Sequence, residues 1–193
     1  MEVLSYREIE VSPETTKYFF EKESIKNKFN KFEEKYGYFG LGSIFSQMGK
    51  ILSTSSGPIL EKRVLDLGCG SIQSYGYYEK LHPYEPWLCR FLHEFGVEVI
   101  GIDIANLDNE EFKHYGEFDL FKPDSLNFLP DNYIDIANAS SLFDSPQVFQ
   151  RIKNSALLSQ HGFYTSKPLK DILISQLERV VKSEGFFIYD GEL

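Results

Sequence analysis

The sequence predicts an α/β protein: a doubly wound, mainly parallel five-stranded sheet with helices on both faces and an N-terminal helical cap. Three observations predict it. From Lys62 onward, short apolar β-rich runs alternate with helix-periodic segments, the rhythm of βαβ units around a parallel sheet. The run Arg63-Val64-Leu65-Asp66-Leu67 leads into Gly68-Cys69-Gly70-Ser71, two glycines one residue apart. Without Cβ atoms such a turn can take positive φ and lay bare backbone against a ligand. The first sixty residues instead repeat apolar side chains at helical spacing.

That N-terminal part opens with Ser12-Pro13-Glu14, a helix start with Ser as N-cap and Pro in the first turn. Tyr18, Ile25, Phe29, Phe32 and Tyr36 follow on one face. Lys26, Lys28, Lys31 and Lys35 interleave with Glu21, Glu23, Glu33 and Glu34, which makes the other face a solvated one rather than a basic binding stripe. Gly40-Leu41-Gly42 should break the helix, and Ile44, Phe45, Met48, Ile51 and Leu52 suggest a second, short one.

The first strand is placed at Arg63–Leu67 and a helix at Trp87–Phe95. A second strand, Val97–Ile102, ends at Asp103; a short helix is expected over Asp108–Lys113 and a weaker third strand over Glu117–Phe121. Asp131-Asn132 reads as the turn into a fourth strand, Tyr133–Asn138. Asp144-Ser145-Pro146 begins another helix, and Ser166–Lys182 carries Ile172, Leu173, Leu177, Val180 and Val181 on one face until Gly185 ends it. Phe186–Tyr189 is the fifth strand.

Composition narrows the function classes. At 193 residues with 42% hydrophobic and 16% aromatic content, the chain reads as one globular domain with a sizeable core. No apolar run approaches the roughly 20 residues that span a bilayer, and the N-terminus lacks a basic-then-apolar leader. A net charge of −9 argues against duplex nucleic acid as partner and for a small-molecule or protein substrate. Two cysteines, with no CxxC and no grouped His/Cys set, suggest free thiols in a reducing cytoplasm and no structural zinc.

The carboxylates sit where a ligand would. In a doubly wound sheet the ligand lies outside the carboxyl ends of the strands, at the point where strand order reverses. Asp66, Asp103, Asp119 and Asn138 all fall at or near expected strand ends. Each also has a plainer alternative, capping a helix or closing a turn, and Asp124 stands close enough to take the role of Asp119.

Val64-Leu65-Asp66-Leu67-Gly68-Cys69-Gly70-Ser71 resembles the first motif of class I S-adenosylmethionine-dependent methyltransferases, and Val99-Ile100-Gly101-Ile102-Asp103 resembles that family's second strand. Asp119-Leu120, the passage Leu129–Asn138 and the passage Leu177–Phe186 resemble the family's third-, fourth- and fifth-strand regions in the same order. The resemblance runs from Lys62 to the end of the chain. It implies a Rossmann-like domain over residues 61–193 with strand order 3-2-1-4-5 and S-adenosylmethionine as cofactor; residues 1–60, outside the resemblance, are expected to form a helical cap over the cleft at the carboxyl ends of the strands. Asp66, Gly68, Cys69, Gly70, Ser71, Asp103, Ile104, Asp119, Leu120 and Asn138 are the cofactor-binding positions it implies. Asp103 would accept the ribose hydroxyls, a task suited to an acceptor-only group. Asp119 and Leu120 would meet the adenine edge.

Two departures from the family pattern stand out. Ile72 occupies the place of a frequent third glycine. The interval from Gly70 to Asp103 also exceeds the roughly 20 residues usual between such a turn and its acidic partner. The excess falls in 71–86, an aromatic stretch with Tyr75, Tyr77, Tyr78, His82 and Tyr84, followed by Trp87. It can be a wall beside the cofactor or a loop packed on the N-terminal helices. Other nucleotide motifs fit less well: a nicotinamide fingerprint would need glycine at Gln73, and a P-loop Gly-Lys-Ser/Thr is absent.

A general base is needed only for a protonated acceptor. Of His82, His93, His114 and His161, His82 is the best candidate, and packing or surface roles are the plainer reading of all four. Asn138-Ala139-Ser140-Ser141 departs from the Asn/Asp-Pro-Pro-Tyr motif of nucleobase amino-group methylators. The family's sheet usually adds two strands after the fifth, and Phe186–Leu193 leaves no room for them. That edge needs cover, from residues 3–11, from a second copy or from a partner subunit. The expectation is a methyltransferase acting on a small-molecule or protein acceptor; a non-catalytic cofactor-binding partner subunit is the alternative.

Overall fold

The computed structural model describes residues 1–5, 10, 23–36, 39–54, 58–71, 85–140, 142–143, 145, 148, 150 and 167–189. Strand β1 (Glu2–Ser5) is followed by helices α1 (Glu23–Tyr36) and α2 (Phe39–Thr54), a 3-10 turn at Ile59–Glu61, and β2 (Arg63–Leu67). Then come α3 (Trp87–Phe95), β3 (Glu98–Ile102), β4 (Lys113–Tyr115), β5 (Ile134–Ala139), α4 (Lys167–Val180) and β6 (Val181–Tyr189). Every strand pair is parallel and the sheet runs β1-β6-β5-β2-β3-β4.

This differs in count and order from the five-stranded 3-2-1-4-5 sheet expected from sequence. The difference is β1, which pairs Glu2–Ser5 with Phe186–Tyr189. An unpaired edge of β6 would expose a row of N–H and C=O groups, and the N-terminal strand takes them up. Four apolar-polar residues at a chain start carry too little pattern to be read as a strand on their own.

Alternation along the strands divides the core into two faces. Leu65, Leu67, Ile100, Ile102, Ala137, Ala139, Phe187 and Tyr189 face α4, whose Leu169, Leu173, Leu177 and Val180 recur at spacings of one helical turn. Val64, Val99, Ile136 and Ile188 face the other way. On them lies a layer made by α3 with Phe29 and Phe32 of α1 and Ile44, Met48 and Ile51 of α2. The described parts of the N-terminal helices thus belong to a sheet-covering layer. Phe29 packs tilted and Phe32 edge-on against Phe91, with ring centres at 4.7 and 5.4 Å, and Lys28 Nζ donates to the Phe95 carbonyl at 3.0 Å where α3 ends. Gly96 closes α3 in the left-handed conformation, φ 82°.

Several boundaries move. Gly40 and Gly42 lie inside α2 rather than breaking it. They fall in its first turns, where the amides have no intrahelical partner to lose, and burial of Ile44, Met48 and Ile51 further along offsets their poor propensity. The third strand is Lys113–Tyr115, and residues 117–121 form turns. Glu117 takes a positive φ of 56°, outside the extended region, which interrupts the run before it can continue as a strand. Residues 108–111 are turn and bend, not helix: Asn106 Oδ1 accepts from the Asp108 amide at 2.8 Å and competes with helical bonding. Gly185 does not end α4. Val181 enters β6 directly, and Gly185 lies in an irregularity where a Cβ would come within 2.7 Å of the Asp135 carbonyl oxygen. Ser145 Oγ accepts from the Val148 amide at 3.3 Å, the capping bond expected there. Ser12-Pro13-Glu14 and Tyr18 lie outside the described residues.

Candidate cofactor site at the carboxyl ends of the strands

The chain leaves β2 toward β3 on one side of the sheet and later returns to β5 on the other side of β2. The crevice between the ends of β2 and β5 is therefore the switch point at which such sheets bind ligands. Around it the structure assembles two connected groups of the expected residues.

The first group is the turn and the end of β3. Gly68 and Gly70 take φ of 69° and 90°, conformations that only glycine adopts without strain. A Cβ on Gly68 would also come within 2.8 Å of Leu142 Cδ1. The amides of Gly68 and Cys69 donate to the Ile102 carbonyl at 2.8 and 3.1 Å. The Gly70 amide donates to Asp103 Oδ2 at 2.9 Å, and the Ala105 amide to Oδ1 at 2.8 Å. Ser71 Oγ donates to the Asn106 carbonyl. Asp103 is 7% exposed; burial pushes its carboxyl up, against the backbone amides of Ala105, Gly70 and Ile104, which favour the charged form. A carboxylate offers about four lone-pair sites, so with these amides in place Asp103 can accept one hydroxyl of a diol, and a second if Gly70 releases it. Ile104 is 56% exposed beside it, an apolar plate next to a hydroxyl acceptor. Asp119 Oδ1 accepts from the Phe121 amide at 3.0 Å, and Leu120 is buried in the core beneath α4.

The second group lies under the turn, across β2 and β5. Asn138 Nδ2 donates to Asp66 Oδ1 at 2.7 Å, and Cys89 Sγ of α3 to Asp66 Oδ2 at 3.4 Å. Asp66 is 4% exposed and Asn138 2%. No cation reaches Asp66 among the described residues, and burial pushes its carboxyl up to about 6, with Asn138 and Cys89 opposing that shift. Asn138 Oδ1 is buried without a hydrogen-bond partner. A buried carboxylate without a cation and a buried carbonyl without a donor together form an acceptor-rich recess, and such groups are costly to leave unpaired.

Asp66 gives a pH prediction. Its proton is held in the folded chain at pH values where the unfolded chain has released it. Folding therefore takes up a proton between about pH 4 and pH 6, and stability falls as pH rises through that window, by up to about 3 kcal/mol. Urea unfolding from pH 4 to pH 7 should show this fall in the wild type relative to Asp66→Asn; parallel curves would contradict the assignment.

The aromatic insertion, with Ile72 and His82, lies outside the described residues, as does His161. Trp87 is described and packs edge-on against Tyr36 at 5.9 Å and Phe32 at 6.4 Å. His93 is exposed at the end of α3, and His114 contacts the Phe112 ring; neither belongs to the two groups. Cys89 and Asn106 hold the site together and carry no motif in the sequence. A cavity of about 230 Å³ between α1, α3 and residues 109–112 lies apart from the turn. Its charges are paired: Arg90 with Glu85 and Glu110, Lys35 with Glu94 and Glu111. No helix among the described residues is long and apolar enough to cross a membrane.

In fold, the chain is similar to methyltransferases. One is a SAM-dependent methyltransferase from Archaeoglobus fulgidus, 21% identical, covering 80% of this chain and 53% of that one with a TM-score of 0.43. Another is the CurJ carbon methyltransferase, 14% identical, covering 72% of this chain and 38% of that one with a TM-score of 0.35. The chain thus spans about half the length of the first and less of the second. No family model matches the sequence, and no curated protein matches it.

Proposed function

We propose that the protein binds S-adenosylmethionine at the switch point and is a methyltransferase for a small-molecule or protein acceptor. The observation that carries this reading is the acceptor-rich recess of Asp66 and Asn138 beneath a glycine turn that is tied to Asp103. Phosphate ligands want donors; this recess offers buried oxygens, which suit an ammonium group and a vicinal diol. The residues fit the cofactor in that respect. Asp66 and Asn138 Oδ1 would hold its ammonium, Asp103 its ribose hydroxyls, and Ile104 one face of its base, with Asp119 and Leu120 toward the base edge. Gly68, Cys69, Gly70 and Ser71 would supply the backbone that passes beneath it.

When bound, the cofactor supplies a methyl group on a sulfonium, which transfers by in-line displacement. The chain's part is then positioning, which can account for much of the rate. Ionised Asp66 favours a cation, so affinity should fall as pH drops below about 6. The buried, hydrogen-bonded turn keeps the nucleoside end fixed.

The test is S-adenosylhomocysteine formation by the full chain across a panel of small-molecule and protein acceptors, alongside calorimetry of cofactor binding. The reading predicts binding and turnover with at least one acceptor class. Binding with no turnover across the panel would favour the non-catalytic partner-subunit reading, and no binding would remove both.

A further inference from the structure

Beneath the glycine turn the two cysteines of the chain meet. Cys69 comes from the turn and Cys89 from the first half of α3, and both are buried. Gly101 of β3 makes the room: a Cβ there would lie 3.0 Å from Cys69 Sγ and 3.1 Å from Cys89 Sγ, with Phe112 Cε2 at 2.6 Å closing the third side. Both sulfurs thus line the same small space over Gly101, while Cys69 also reaches the Gly70 carbonyl and Cys89 the Asp66 carboxylate. Methyl transfer as proposed above uses neither sulfur.

We propose that Cys69 and Cys89 are a dithiol site that closes to an intramolecular disulfide on exchange with a low-molecular-weight disulfide such as oxidised glutathione, locking the glycine turn to α3. Cys69, on the turn, loses its proton and attacks one glutathione sulfur. A mixed disulfide forms and the first glutathione leaves as thiolate, taking up a proton. Cys89 then loses its proton and attacks Cys69 Sγ, and the second glutathione leaves in the same way. The two protein thiols lose two electrons and two protons; oxidised glutathione becomes two molecules of the thiol.

Burial pushes both thiols up and holds them in the unreactive protonated form while the turn is closed. Exchange therefore passes through release of the turn from Ile102, Asp103 and Asn106, its partners at the end of β3. The cross-link has a direct effect on the site: it removes the Cys89 donor from Asp66 and leaves that carboxylate with Asn138 alone.

The experiment incubates the native full chain with oxidised glutathione, quenches in acid, alkylates, and reads intact mass and peptide map. The expected product is two hydrogens lighter than the reduced chain and contains a linked Cys69–Cys89 peptide. Cys89→Ser should instead accumulate a glutathione adduct on Cys69. Separate adducts on both cysteines of the wild type, or no reaction in native buffer while the urea-unfolded chain reacts, would overturn the proposal. A second arm rests on the cofactor reading. S-Adenosylhomocysteine at about ten times its dissociation constant should slow cross-linking about tenfold, because it depletes the open turn by mass action. Cross-linking at an unchanged rate would leave the dithiol site standing and count against the cofactor reading.

Discussion

Asp103→Ala should weaken binding of S-adenosylhomocysteine by about ten- to a hundredfold. A hydrogen bond to a charged acceptor contributes roughly 1.5–3 kcal/mol, and each 1.4 kcal/mol is about a tenfold change in affinity. The substitution removes the acceptor for the ribose and also strands the Gly70 and Ala105 amides, which now donate to it at 2.9 and 2.8 Å. The turn therefore loosens as well as losing a ligand contact. Asp103→Asn separates the two effects, since its remaining carbonyl oxygen can serve one amide but not the whole set. Calorimetry on chains shown to be folded by circular dichroism should rank wild type above Asn above Ala. Equal affinity in all three would show that the ribose lies elsewhere.

Phe32→Ala should cost about 3–5 kcal/mol of stability, the range for deleting a buried aromatic side chain. Phe32 is 2% exposed and its ring lies 4.7 Å from Tyr36, 5.4 Å from Phe91 and 6.4 Å from Trp87. Because α1 shares one core with α3 and the face of Val64, Val99, Ile136 and Ile188, the loss should appear in the unfolding of the whole domain. Urea unfolding should show a single transition at lower urea with an unchanged slope. A midpoint identical to wild type would mean that the N-terminal helices are a separate unit.

The strands after Lys62 other than the third were legible because each buried parallel strand is a short apolar run and each turn has its own chemistry. Trp87–Phe95 matched to the residue, since Pro86 and Gly96 bracket it. Elements set by tertiary pairing were not legible. Four residues at 2–5 become a strand only because β6 offers an edge, and Lys113–Tyr115 extends only because Ile100, Gly101 and Ile102 lie beside it. At the site, the glycines and Asp103 announced themselves through spacing. Cys89 did not, because its contact with Asp66 is made by the packing of α3 on the sheet and leaves no periodic trace. The empty side of Gly101, which admits both sulfurs, is legible only in three dimensions.

The central claim, that the crevice between β2 and β5 holds S-adenosylmethionine, is tested most directly by a crystal structure of the full chain grown with S-adenosylhomocysteine. The predicted result places the nucleoside over Gly68–Ser71 with a ribose hydroxyl on Asp103 and the ammonium on Asp66 and Asn138 Oδ1. A nucleoside bound away from that turn, or a recess still without a donor to Asn138 Oδ1 when the ligand is present, would contradict it.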